Sequence, residues 1–171
     1  MTFLHIASAL WILCGVSAQY SKNWNVALQG QATQSTLIND QRYGFLGAAI
    51  NAIDGNLDPE AFHGSCTHTD NEVSPWWRVD LLKSYRISSI SITNRNNFGD
   101  RINGAEILVG NSLSDNGNNN PKCGLITSMP NGATQKYYCH GMVGRYVNII
   151  IRGKASFLTL CEVQVWTSDS D

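Results

Sequence analysis

Apolar and polar residues alternate with a period of two in several short stretches of the chain. In ISSISITN (87–94), Ile90 and Ile92 fall on one face and Ser89, Ser91 and Thr93 on the other. Val147, Ile149 and Ile151 line up in YVNIIIR, and Cys161, Val163 and Val165 in CEVQVW. AEILVG contributes Ile107 and Val109, and PWWRVDL contributes Trp77, Val79 and Leu81. A strand shows opposite faces to successive side chains, so each stretch predicts a half-buried strand. Clusters of Gly, Pro, Asn and Asp bound them, as turn chemistry requires. Several short strands with no helical period predict an all-β chain, an antiparallel β-sandwich or jelly roll.

The segments between strands read as connections. Residues 111–121 (NSLSDNGNNNP) predict a long polar loop, and 94–104 and 34–58 are further connections. Neither an internal repeat nor a heptad interrupts this pattern. Residues 168–171 form a polar tail after the last strand.

The amino-terminal residues 1–18 (MTFLHIASALWILCGVSA) carry no charged side chain and end in small residues. The run is too short for a comfortable membrane span and predicts a secretory leader, leaving 19–167 as one domain. No later stretch is apolar enough to cross a bilayer. The expectation is a secreted, extracellular protein. Removing the leader takes Cys14 with it and leaves Cys66, Cys123, Cys139 and Cys161. An even number in an oxidising compartment predicts two bridges, with three connectivities open.

Charge narrows the partners. The 171 residues carry a formal net charge of -1, and only 15% are Asp, Glu, Lys or Arg. Without a basic field, nucleic acid is not an expected partner. Enzyme motifs are missing as well: there is no G-x-S-x-G elbow, no H-E-x-x-H and no phosphate loop. A non-enzymatic protein is expected.

Two constellations remain. In NAIDGNLD, Asp54, Asn56 and Asp58 alternate like the start of an EF-hand loop, but Pro59 and Ser65 occupy positions that motif gives to Gly and Glu. Packed oxygen donors in a turn still suit Ca²⁺, and an ordinary Asp-Gly turn is the plainer alternative. The second constellation is Arg95 and Arg101 in NRNNFGDR, with His68 upstream in SCTHTD. Sugar sites combine charge-assisted donors with an apolar surface, for which Phe98 or Phe62 would serve. Solvated surface charge is the plainer alternative here.

The run from NAIDGN through HGSCTH, PWWRVDL, SITNR, DRINGAEI and GRYV to LCEVQV resembles the F-type lectin (fucolectin) family, related to discoidin-type domains. The resemblance extends from about Asn25 to Trp166 and implies a jelly-roll lectin that binds terminal L-fucose on glycans. It implies His68, Arg95 and Arg101 as hydrogen-bond donors to the sugar, with Phe62 or Phe98 as apolar wall. It also implies a structural Ca²⁺ held by Asn51, Asp54, Asn56, Ser65, Cys161 and Glu162, some through backbone carbonyls. The bridges implied are Cys66–Cys161 and Cys123–Cys139. Asn97 stands where the family carries Asp, and Asn97-Phe98 replaces its adjacent cysteine pair; Asp100 is the nearest carboxylate to substitute.

The expected partners are fucosylated glycans or glycoproteins, met in innate defence or in cell or gamete adhesion, with homo-oligomers supplying avidity. The competing expectation is a discoidin-type adhesion module whose loops meet protein or membrane.

Overall fold

The computed structural model describes residues 24–40 and 47–167. The expected leader (1–18) and polar tail (168–171) lie outside the described residues. Eight strands follow in chain order: β1 (Gln31–Gln34), β2 (Glu72–Val73), β3 (Trp76–Thr93), β4 (Ala105–Gly110), β5 (Lys122–Ile126), β6 (Thr134–Ile151), β7 (Ala155–Ser156) and β8 (Glu162–Thr167). Five short 3-10 turns join them among the described residues.

The two longest strands organise the rest. β3 and β6 each run for 18 residues and pair with each other antiparallel, from Trp76↔Ile150 to Thr93↔Thr134. The first half of β3 also pairs with β1, and the second half with β8. On the other side, the last part of β6 pairs with β4, which pairs with β5. Register shifts fall between Asp80 and Tyr85 and between Ile87 and Ser89. There the pair bends, with Leu82 and His140 at positive φ (68° and 52°). Bulges of this kind turn a strand from one layer into another.

The bend brings both halves around one core. Trp77, Val79, Val147 and Ile149 from one half share a buried cluster with Ile90, Ile92, Val163 and Val165 from the other. The result is an antiparallel β-sandwich, as the alternation predicts. The apolar faces read from the sequence point into this core, except that Cys161 packs with Ala61 and Cys66 in a small cluster of its own.

One expectation needs correction. PWWRVDL and ISSISITN are halves of a single strand, and the second half is not half-buried. Ser89, Ser91 and Thr93 are as buried as the isoleucines between them. Two of these hydroxyls are bonded locally: Trp166 Nε1 donates to Ser91 Oγ at 3.1 Å, and Thr93 and Thr134 share a 2.8 Å hydroxyl bond. Small hydroxyl residues let the face be covered without stranding polar atoms.

Both disulfides form as the resemblance implies, Cys66–Cys161 and Cys123–Cys139. The first closes 95 residues of sequence, worth about 4 kcal/mol of chain entropy.

Candidate functional site

At the end of β3 the chain is fixed before it reaches the arginine. Asn94 is buried, and its Nδ2 donates to the carbonyls of Gly99, Met129 and Pro130 at 3.0–3.3 Å. Its Oδ1 accepts the Arg95 N–H at 3.0 Å, and the Arg95 carbonyl accepts from Gly132 at 2.9 Å. The Arg95 side chain is 0% exposed. Its Nε (2.9 Å) and Nη2 both donate to Asn97 Oδ1, while buried Nη1 has no hydrogen-bond partner. A guanidinium cannot shed its charge, and a buried donor left unmet costs about 1–3 kcal/mol. Nη1 is therefore a donor lacking its acceptor.

His68 is held from the other side. Its N–H donates to the Gly47 carbonyl at 2.9 Å, and its own carbonyl accepts from Ile38 N–H (3.0 Å) and Gln34 Nε2 (3.1 Å). Gly47 must be glycine for this approach, because a Cβ there would lie 2.8 Å from the His68 Cβ. Gln34 Nε2 also reaches the Thr36 and Gly47 carbonyls, so one amide gathers three segments.

The His68 imidazole, in a residue 2% exposed, donates from Nδ1 to the Thr69 carbonyl at 2.8 Å. Burial above all, with the positive charges of Arg95 and Arg101, lowers its pKa to about 4; the Thr69 bond and Asp70 oppose this. The ring is neutral at pH 7 with its proton on Nδ1, so Nε2 carries no proton.

Aromatic rings connect the three polar groups. Phe157 meets His68 edge-on at 5.3 Å and lies 4.5 Å from the Arg101 guanidinium. Phe98 lies 4.6 Å from Arg101 and 5.5 Å from Arg95. His68, Phe157, Arg101, Phe98 and Arg95 thus form a continuous cluster built from three distant segments.

Phe157 is absent from the sequence reading. It follows β7 and has no motif to mark it, so only the β2–β7 pairing that anchors this segment reveals it. Phe62 stands half-exposed on the turn Ala61–His63, and Glu60, just before that turn, accepts from Asn96 Nδ2 at 2.9 Å. The oxygen that orients Arg95 belongs to Asn97, not to Asp100, whose carbonyl closes the 3-10 turn Gly99–Ile102 on Asn103. Arg101 rides on that turn. It is pinned by buried Ile102 and by Gly99, whose N–H donates to Asn131 Oδ1 at 3.0 Å. A Cβ on Gly99 would lie 2.5 Å from both Asn131 and Asn94.

The acidic constellation lies around the first disulfide. Asp54, Asn56 and Asp58 each accept, through Oδ1, the N–H two residues on, at 2.8–3.0 Å. Asn51 Nδ2 donates to the Cys66 carbonyl at 3.2 Å, and Ser65 Oγ to the Glu60 carbonyl at 2.8 Å. The Cys66–Cys161 bridge joins this loop to Glu162, the first residue of β8. Glu162 is 0% exposed, and neither carboxylate oxygen has a hydrogen-bond partner. Burial, and secondarily the Asp54 charge, push its pKa up to about 8. The Gly55 N–H acts in the opposite direction without completing a hydrogen bond.

An antiparallel β-sandwich with polar and aromatic side chains gathered at one end is an architecture suited to a binding module. Residues 51–149 match the family described as NedA-like, galactose-binding domain. Fucolectin-4 of Anguilla japonica is 52% identical over 143 residues, covering 82% of this chain and 78% of its own. The F-lectin (fucolectin) from striped bass (Morone saxatilis) serum superposes with a TM-score of 0.81 at 52% identity. That match covers 86% of this chain and 48% of the striped bass protein, so the chain spans about half that protein's length. The lectin domain of lectinolysin, solved with Lewis B antigen, superposes with a TM-score of 0.72 at 29% identity, covering 85% and 98% of the two chains. The chain belongs to the fucolectin, or F-type lectin, family. These relatives are lectins and not enzymes.

Proposed function

We propose that the chain is a secreted lectin that binds terminal L-fucose on glycans. The observation that carries this reading is the buried Arg95 Nη1, a charged donor without an acceptor, set in a cluster with neutral His68. Arg95 and Arg101 would donate to sugar hydroxyls, and His68 Nε2 would accept a hydroxyl proton. Such a mixed set suits a hydroxyl, which both gives and takes hydrogen bonds. Phe157 offers an apolar surface for the sugar's methyl and C–H groups. The names of the relatives, fucolectin and a lectin domain bound to Lewis B antigen, favour the same sugar.

A structural calcium ion belongs to this reading. The donor set is all oxygen, as a hard cation requires, and the unpartnered Glu162 carboxylate is the group a cation would neutralise. Asp54, Glu162 and the Asn51, Asn56, Ser65 and Cys161 oxygens would hold it, outside the sugar cluster. Secretion by the leader and glycan recognition in defence or adhesion follow as further parts of the proposal, with several copies compensating weak single sites.

Calorimetric titration of residues 19–171 with methyl α-L-fucoside tests it. Saturable binding is expected, with none to methyl α-D-glucoside. Equal heats from both sugars, or none from the fucoside, would reject the reading.

A further inference from the structure

The polar loop 111–121 is folded onto the outer face of β3 and β6 and fastened there by its backbone. Gly117, Asn118 and Asn120 are buried. The Asn116 carbonyl accepts from Arg78 Nη1 at 2.7 Å and from Asn148 Nδ2 at 2.9 Å, and the Asn118 carbonyl accepts from Arg152 Nη2. Asp115, Asn116 and Gly117 follow one another at positive φ (50°, 55° and 88°). Glycine is required at 117, because a Cβ there would lie 2.7 Å from Asn148 Oδ1. The fold therefore sets a glycine directly after exposed Asn116. In an Asn-Gly pair the amide side chain meets the next backbone nitrogen most easily, since glycine puts no Cβ in the way.

The chain holds three such pairs: Asn103-Gly104, Asn116-Gly117 and Asn131-Gly132. Two are tied through the side-chain oxygen. Asn103 Oδ1 accepts the Met129 N–H at 3.2 Å, and Asn131 Oδ1 accepts the Gly99 N–H at 3.0 Å. The Asn116 side chain is exposed and makes no hydrogen bond among the described residues. We infer that Asn116 is a site of spontaneous modification, the one Asn-Gly pair that the native fold leaves able to deamidate. The Gly117 nitrogen gives up its proton and bonds to Asn116 Cγ; the Cγ–Nδ2 bond breaks, and ammonia leaves with that proton. Water then opens the cyclic imide at either carbonyl, giving aspartate or isoaspartate, with nothing oxidised or reduced. Either product adds a negative charge to a chain whose formal net charge is -1. Isoaspartate also lengthens the main chain at the residue whose carbonyl Arg78 and Asn148 hold. Those two bonds act as a brake: ring closure must turn the peptide between Asn116 and Gly117, and each bond resists the turn.

The experiment follows the three pairs by peptide mapping, with mass spectrometry that resolves aspartate from isoaspartate, in buffer at pH 8 and in urea. In urea, where the fold no longer distinguishes them, the three should convert at similar rates. In the native protein Asn116 should convert about tenfold faster than Asn103 or Asn131, the factor that one retained side-chain bond represents. Arg78→Ala should speed conversion severalfold at Asn116 and at neither other pair. Its melting temperature shows whether it is folded; if it is not, the wild-type comparison decides. Native conversion led by Asn103 or Asn131, or equal at all three, would overturn the assignment. So would an Asn116 amide that stays intact in native protein while the urea sample converts. Folded Arg78→Ala converting at the wild-type rate would overturn the brake.

Discussion

Arg95 and Glu162 are both completely buried charged residues near the same end of β3, and the fold treats them in opposite ways. Arg95 is forked onto the amide oxygen of Asn97 and stands near the Phe98 ring, with one nitrogen left over. Glu162 receives no hydrogen bond at all. The chemistry of the two groups explains the difference. A guanidinium keeps its charge at any relevant pH, so its partners must be built into the chain. A carboxyl can take up a proton, and burial together with the Asp54 charge pushes the Glu162 pKa up to about 8, toward the protonated form. One residue keeps a fixed charge inside the sandwich, and the other can give up its charge by taking a proton.

Removing the fixed charge should have the largest effect. Arg95→Ala is expected to weaken fucoside binding about a hundredfold or more, as loss of a buried charge-assisted donor does. Asn97→Ala sharpens the comparison by leaving Arg95 as unpartnered as Glu162. It should cost about tenfold in affinity while the melting temperature falls by a few degrees. Wild-type affinity in Asn97→Ala would show that the amide does not orient the arginine.

The Glu162 carboxyl gives a smaller, proton-linked signal. Without metal, the raised pKa of Glu162 contributes stability that is full below its unfolded pKa near 4.5 and is lost as pH rises through about 8. Calcium should therefore raise the melting temperature more at pH 8.5 than at pH 6, releasing a proton as it binds. Glu162→Gln should abolish that calcium response. A melting temperature indifferent to calcium and EDTA across this range would remove the metal from the proposal.

The smallest expected effect is that of His68 under ordinary conditions. A neutral imidazole whose pKa is lowered to about 4 leaves binding flat from pH 8 to about pH 5. Binding then falls near pH 4 as Nε2 takes a proton and ceases to accept. For stability the sign is the reverse of Glu162. The depressed pKa makes the contribution full above the unfolded value near 6.5 and lost as pH falls through about 4. Calorimetry between pH 3.5 and 8 reads this directly, and a midpoint near 6.5 would show that the ring is not held neutral.

Much of the fold is legible because burial follows alternation. Trp77, Val79, Ile107, Val147 and Val163 all stand where the period of two puts them. What alternation does not reveal is continuity. Nothing in the pattern says that the chain crosses Leu82 and His140 at positive φ and stays in the same strand. Strand β1 (QATQ) and the first half of β6 also escape, because polar residues on a solvated edge carry no apolar period.

At the site, His68, Arg95 and Arg101 are legible from short motifs. Their apolar partner Phe157 is not, since it is brought in by tertiary pairing from 89 positions beyond His68. Gln34 is hidden for the same reason: its three carbonyl partners are remote or unmarked in sequence.

The described chain enters and leaves the sandwich at neighbouring points. Asn25 bridges to Trp166, and its Oδ1 accepts the Val165 N–H at 2.9 Å, so the first and last described residues leave from the same edge. β8 begins at Glu162, next to the Cys66–Cys161 disulfide, and reaches that edge at Trp166 four residues later, roughly 13 Å away at strand spacing. The two described ends of the domain therefore lie side by side, stitched by one bridge and one side-chain bond.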